Sequence, residues 1–468
     1  MSEEREHLTR RDQDDLEDLE ERFLAPYAQP SADAPRRYAL RDQSRTLSYR
    51  TQFQRDRDRI LHSQAFRRLK HKTQVYVAFE GDHHRTRLTH TLEVAQVART
   101  MARAVGLNED LVEAIALAHD LGQPPFGNGG IDVMGAILAG REKIPWVQAK
   151  VLQDTGGFRP NYQSLRVVDR LEQRYDHPGI NLSDPVREGI WKTGKVDDTI
   201  QYPDFKAAGL HPTRPATLEA QVVAVADRLA RLTHDLEDGI RSGEVAMTEL
   251  EKTTIGRAVI HKLGDAYPDT VGAYRRRNAQ IRGIIHTLVS DVVIRATDKL
   301  DDWVEANPEQ EDFEFEPLEG EHAGAGEHSG KFRPAPRLAA DTLDFSDRIQ
   351  PMVQELQDLV HTHIYRSRTV RRLDARARTF ITGLFAAYYQ DPLQLDDYAL
   401  LRYRAEIGGS FLRDVAEEHV DQEIEQRYHN RPAFLRVIAD HVGGMSDTYA
   451  LKEYERLYLP FPDAERHF

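Results

Sequence analysis

Leu111-Val112-Glu113-Ala114-Ile115-Ala116-Leu117-Ala118-His119-Asp120-Leu121-Gly122 is the stretch whose reading decides the fold. It is apolar on nearly every side of a helix, which predicts a central, buried one. Asn108 supplies a cap at its start. Gly122-Gln123-Pro124-Pro125-Phe126-Gly127-Asn128-Gly129-Gly130 cannot continue it, so a rigid loop begins directly after His119-Asp120. A lone histidine on an apolar helix is usually a satisfied core residue. A His-Asp pair inside a buried helix is different, because a buried charge needs a partner or an ion.

Upstream, Arg85-Thr86-Arg87-Leu88-Thr89-His90 opens another helical segment. Leu88, Leu92, Ala95, Ala102 and Val105 recur at helical spacings, and Gly106 supplies a stop. Downstream, Val222, Val225, Leu229, Leu232, Leu236 and Ile240 form one apolar stripe. Asp227, Arg231 and Asp235 form a polar stripe at i, i+4 and i+8. Ala224, Ala226 and Ala230 broaden the apolar face, so the polar stripe reads as lining a cavity rather than facing solvent.

These segments assemble a metal-ligand set. His90, His119, Asp120 and one distant carboxylate, for which Asp227 is the candidate, offer two imidazoles and two carboxylates. Such a set suits one divalent ion among Mn, Mg, Fe, Co, Ni and Zn. Adjacent residues on a helix diverge by about 100°, yet His119 and Asp120 can converge because their side chains differ in length. Arg87 lies three residues before His90 and shares its face, where a guanidinium would hold phosphate oxygens bidentately. Arg228 neighbours Asp227 and is a second candidate for phosphate.

Composition narrows the classes. The net charge of −14, from 63 basic and 77 acidic residues, argues against a constitutive nucleic-acid coat. The absence of cysteine excludes disulfides, zinc–thiolate sites and thiol nucleophiles. No run of about 18 apolar residues predicts a membrane span, and the charged Met1–Glu21 lacks a secretory h-region. The expectation is a cytoplasmic protein with no membrane contact. Residues 1–36 read as a polar, solvated and partly helical tail, and 37–304 as the core. Residues 305–337, with acidic Glu309–Glu321 and Gly-rich Gly320–Gly330, read as a disordered insertion or long loop. Residues 338–468 read as a helical C-terminal region completing the substrate site and oligomer contacts. Strand signals are few, so the fold class is predominantly α-helical. No phosphate-binding Gly-Lys-Ser/Thr loop, dinucleotide fingerprint or His-Glu-x-x-His motif is present.

Four ordered segments carry a resemblance. Gln54-Arg55-Asp56-Arg57-Asp58-Arg59-Ile60 through Lys72-Thr73-Gln74-Val75 comes first, and Arg85–Val94 second. Ala226-Asp227 through His234-Asp235-Leu236-Glu237-Asp238 follows. Gly443-Gly444-Met445-Ser446-Asp447 through Tyr454-Glu455-Arg456-Leu457 closes the set. Together they resemble the bacterial dGTPase-like branch of the HD-domain deoxynucleoside triphosphate triphosphohydrolases, from about Phe53 to Leu457. The resemblance implies an HD-domain helical core, a homo-oligomer and a metal on His90, His119, Asp120 and Asp227. It implies conversion of dNTP and water to deoxynucleoside and triphosphate. By position, Gln74 would contact sugar or base, Arg87 and Arg228 the phosphates, and Asp235 the 3′-hydroxyl.

The chain departs from the family pattern after its His-Asp segment. Asn128 stands at the position of the family's catalytic His, and Ile131 where a Glu follows. Arg159 replaces an acidic residue, Gln123 a frequent His, and Arg231 a Tyr that commonly stacks on the sugar. Asn cannot shuttle a proton at neutral pH, which puts roughly 10²–10⁴-fold of rate at stake. Asp132 or His83/His84 are the alternative carriers. Two readings stay open: a dNTP triphosphohydrolase with impaired or altered catalysis, and a catalytically silent, nucleotide-sensing or regulatory homologue. A third option is action on single-stranded DNA ends or another phosphate ester, which the acidic charge weighs against.

Overall fold

Helices make up nearly all the regular structure among the described residues; the exceptions are isolated bridges between Arg36 and Ser183 and between Thr73 and Thr86. The computed structural model describes residues 11–40, 48–75, 85–196, 210–264, 272–308 and 332–459. The predominantly α-helical expectation holds.

The helix Glu109–Ala118 occupies the centre. Asn108 caps it by accepting from the Asp110 and Leu111 amides, and Leu111, Val112 and Ala114 through Ala118 are buried. Each fully buried Leu, Ile or Val contributes about 1.5–3 kcal/mol. Four helices pack on it: Gln52–Leu61, Arg87–Ala104, Asp184–Lys192 and Leu218–Arg241. The helix Arg87–Ala104 starts from a capping box of Thr86 and Thr89 and ends before Gly106, which adopts φ +70°. Its buried face is Arg87, His90, Thr91, Val94, Ala95, Ala98, Met101 and Ala102. Leu92, expected on the apolar stripe, is exposed.

The His-Asp pair lies just past the central helix rather than within it. Ala118 is the last helical residue, and His119 through Gly122 form a turn. Gly122 is required there: a Cβ would sit 2.1 Å from the Ser164 amide nitrogen. Ser164 Oγ accepts from the Gly122 amide and donates to the His119 carbonyl, pinning the turn to the helix Pro160–Arg166.

A second apolar core is built from the helices Gly127–Leu138, Arg368–Gln390, Asp397–Ile407 and Pro432–Gly444. The helix Arg368–Gln390 links the two cores, with Val370 in the first and Ile381, Leu384 and Phe385 in the second. One carboxylate ties the seam. Asp447 accepts from the Thr73 amide and the Phe126 amide, both at 2.9 Å.

Two expected boundaries differ. Residues 11–36 are docked rather than solvated. Gln13–Phe23 is a helix with an Asp12 capping box, and Ala28, Gln29, Ser31 and Ala34 are buried. Glu219 accepts from the Gln29 and Asn108 amides, and the Tyr27 hydroxyl donates to the Val105 carbonyl at 2.8 Å. Polar groups here are satisfied by specific partners, which is why a polar composition still orders. Helix resumes at Gln350 rather than near Leu338, although Leu338, Leu343 and Phe345 are buried in irregular chain. Most of the expected insertion, residues 309–331, lies outside the described residues.

Candidate metal centre

The helices Arg87–Ala104 and Leu218–Arg241 pack face to face across the end of the central helix. His90 comes from the first, Asp227 from the second, and His119 and Asp120 from the turn between the central helix and its loop. All four are buried. One ligand atom each of His90, His119 and Asp120 lie within 4.8 Å of one another. Asp227 Oδ1 lies 3.1 Å from His90 Nε2 and 3.6 Å from His119 Nε2, and Asp120 Oδ1 lies 3.5 Å from His119 Nε2.

The His119 ring is preset for a cation. Its Nδ1 lies 2.6 Å from the Ala116 carbonyl, which can only accept, so the Nδ1 hydrogen is held there. Its Nε2 is buried and has no hydrogen-bond partner among the described residues. A buried, unpartnered nitrogen facing two carboxylates fits a divalent ion. The charges agree. Burial raises the Asp120 carboxyl, but His119 and Arg87 outweigh it and hold the group below the usual carboxylate range. Burial likewise opposes ionisation of Asp227, and Arg231 and His119 reverse it. Burial draws His119 down, yet Asp120 and Asp227 push it up to about 9 without a metal; His90 is lowered to about 4 by burial.

Arg87 is buried against this centre. Its Nη1 donates to Asp120 Oδ2 at 2.9 Å and its Nε to the Thr73 carbonyl at 3.2 Å. Gln123 donates to the other Asp120 oxygen at 2.8 Å. Gln74 is buried next to Thr73 in sequence, and its Oε1 lacks a hydrogen-bond partner among the described residues. Asp235 accepts from the Tyr365 hydroxyl through Oδ2, while Oδ1 is buried and unpartnered among the described residues; burial pushes the group up to about 6. The expected polar stripe is therefore turned inward at Asp227 and Asp235. Arg231 donates to Asp227 Oδ2 at 2.6 Å.

Other expected residues are not gathered here. Arg228 is exposed, 2.6 Å from Asp344, and stacks over Phe345. Its side chain leaves the helix about 100° from that of Asp227. Arg85 is engaged by Glu93, Glu237 and Asp238. Asn128 is exposed in the first turn of Gly127–Leu138 and lines a cavity with Thr73, Phe126, Asp374 and Phe380. Asp132 is exposed on the same helix. His83 and His84 lie outside the described residues. Asn161 donates to the Trp191 carbonyl at 2.7 Å, and Arg159 is exposed, so that segment braces the scaffold.

Sequence reasoning missed His234, Glu93 and Tyr365. His90 Nδ1 lies 3.1 Å from His234 Nδ1, and His234 Nε2 meets Glu93. Helical spacing carried the signal: Glu93 is i+3 from His90, and His234 is i+7 from Asp227.

Comparison with known proteins places these residues in context. Residues 87–232 match the HD domain, and residues 343–417 and 405–456 match the phosphohydrolase-associated domain. The chain is 37% identical over 436 residues to a deoxyguanosinetriphosphate triphosphohydrolase-like protein of Nitrosomonas europaea, covering 93% of this chain and 98% of the relative. It is 37% identical over 411 residues to the protein of the same name in Bordetella pertussis, covering 87% and 90%. A deoxyguanosinetriphosphate triphosphohydrolase-like protein 1 of Mesorhizobium japonicum is 36% identical over 430 residues, covering 88% and 90%.

Proposed function

With such relatives along most of its length, the chain belongs to the dGTPase-like family of HD-domain phosphohydrolases, and from that premise we propose that it is a metal-dependent dNTP triphosphohydrolase. The observation that carries the reading is His119 Nε2, buried beside Asp120 and Asp227 without a hydrogen-bond partner among the described residues. A divalent cation bound there would polarise a phosphoryl oxygen and acidify water. His90, His119, Asp120 and Asp227 would hold it. Arg87 helps keep Asp120 ionised and aimed, and its guanidinium is the candidate contact for polyphosphate oxygens. Asp235 Oδ1 offers a buried acceptor for a sugar hydroxyl, and Gln74 Oε1 offers a second acceptor with no partner among the described residues. Arg228, ion-paired with Asp344, would have to exchange that partner to reach a phosphate.

Product analysis on a panel of four dNTPs with Mn²⁺ or Mg²⁺ tests the reading. Release of deoxynucleoside and intact triphosphate from at least one dNTP is expected. No release at enzyme concentrations that detect slow turnover counts against it.

Asn128 favours a second reading, a nucleotide-sensing homologue that binds metal and dNTP without hydrolysis. It predicts dNTP-dependent thermal stabilisation without product. Alanine at Arg87 or Asp235 would abolish that stabilisation; unchanged stabilisation in both variants rejects the reading.

A further inference from the structure

One continuous chain of side chains leads away from His90. Its Nδ1 lies 3.1 Å from His234 Nδ1, and the rings meet edge to face with centroids 5.3 Å apart. The other nitrogen of His234 meets the Glu93 carboxylate. Glu93 also accepts from Arg85 Nε at 3.2 Å, and Arg85 holds Glu237 and Asp238 at 2.7 and 3.1 Å. The Arg87–Ala104 and Leu218–Arg241 helices are thereby joined behind the candidate ligands.

Two ring nitrogens in that contact share one hydrogen, and its location decides what His90 can do. With the hydrogen on His90 Nδ1, His90 Nε2 carries a free lone pair toward Asp227 and the other ligands. With the hydrogen on His234 Nδ1, neutral His90 carries its own on Nε2, pointing at Asp227, and cannot ligate. An ionised carboxylate only accepts. Glu93 therefore holds a hydrogen on His234 Nε2, and in the neutral ring that leaves His234 Nδ1 as the acceptor for His90. His119 likewise has its Nδ1 hydrogen held by an acceptor, the Ala116 carbonyl.

We propose that Glu93 and His234 are positioning residues that fix His90 as a ligand through Nε2. The inference rests on the reading of His90 as a metal ligand. Calorimetric titration of metal-free, full-length protein with Mn²⁺ tests it, alongside melting of the metal-free forms. One Mn²⁺ per chain is expected for the wild-type protein. Glu93→Gln and His234→Leu are expected to bind Mn²⁺ about 10–100-fold more weakly. His234→Gln retains a side-chain oxygen that can accept from His90 Nδ1–H, so it is expected to bind more tightly than His234→Leu. Glu93 is half-exposed, and Glu93→Gln is expected to melt with the wild type when metal-free. Wild-type affinity in both Glu93→Gln and His234→Leu overturns the inference and leaves the ligand reading standing. Equal weakening in His234→Gln and His234→Leu also overturns it, because only the packing of the ring would then matter. A wild-type protein that binds no Mn²⁺ overturns the ligand reading itself and the inference with it.

Discussion

Arg87 Nη1 lies 2.9 Å from Asp120 Oδ2, with both side chains sealed from solvent. The same guanidinium holds the carbonyl of Thr73, one residue before Gln74. A candidate metal ligand and a candidate nucleotide-contacting loop are thus fixed by one side chain. Removing one partner of such a buried pair leaves a charge uncompensated, which typically costs about 3–5 kcal/mol.

Arg87→Ala is therefore expected to lose about 3–5 kcal/mol of metal-free stability. A divalent cation would then take over neutralising Asp120, so saturating Mn²⁺ should stabilise the variant more than it stabilises the wild type. Urea unfolding with and without Mn²⁺ measures both increments. Equal Mn²⁺ increments in the two proteins would show that Arg87 and the cation do not share Asp120.

Asn128 stands in the first turn of the helix Gly127–Leu138. The positive end of a helix disfavours a charged imidazole, so a histidine placed there would be neutral at pH 7 and able to take a proton. Asn128→His is expected to raise triphosphate release by about 10²-fold, the lower end of what a positioned acid or base contributes. Chromatographic quantification of triphosphate over a dNTP panel reads this directly. An unchanged rate would mean that proton transfer does not run through this position.

Much of the site was legible because it obeys helical periodicity. The run ending at Ala118 is buried as its composition demands, and Asp227 turns inward because its helix is apolar on both sides of the polar stripe. Arg228 failed for the same geometry, since sequence adjacency on a helix means divergence. His234 and Glu93 were hidden because His234 falls at i+7 from Asp227, off the i, i+4, i+8 polar stripe, and Glu93 reads as one more charge on its helix, although both sit at helical repeats of named ligands. Asp447 was beyond reach. Its partners lie 374 and 321 residues away, and nothing local in Ser446-Asp447 names Thr73 or Phe126. The segment before Arg36 misled because Ala28, Ala32 and Ala34 among Ser and Pro look like linker, yet small residues are what close docking against Val105 and Glu219 requires.

That docked segment should respond to pH. Burial raises Glu219 and Glu20 from 4.5 to about 7, against the hydrogen bonds from Gln29, Asn108 and Ser31 that favour ionisation. Glu219 Oε2 has no hydrogen-bond partner among the described residues, which is where a proton would sit. A folded-state value above the unfolded one means that the folded protein binds more protons between the two. The associated stability is complete below about pH 4.5 and is lost as pH rises through about 7. Exchange at the Gln29 and Asn108 amides, corrected for intrinsic rate, should be faster at pH 8 than at pH 5.5. Glu219→Gln should flatten that difference and stabilise the protein at pH 8; a retained pH difference would assign it to other groups.

Asp447 links the two loops that flank the candidate centre, so its loss should separate nucleotide binding from metal binding. Its two oxygens take the Thr73 and Phe126 amides separately. Asp447→Asn keeps one acceptor and turns an NH₂ toward the other amide, leaving a buried donor unsatisfied, at about 1–3 kcal/mol. Asp447→Ala leaves both donors unsatisfied and should cost about twice as much. His119 and its turn are held independently, by Ala116 and Ser164. The expected result is a large fall in dNTP-induced thermal stabilisation and a much smaller change in Mn²⁺ affinity by calorimetry. Asp447→Asn should fall between the wild type and Asp447→Ala on the nucleotide measurement. Parallel loss of nucleotide and metal binding would mean instead that the Asp447 clamp carries the whole centre, through Thr73 and Arg87 to Asp120.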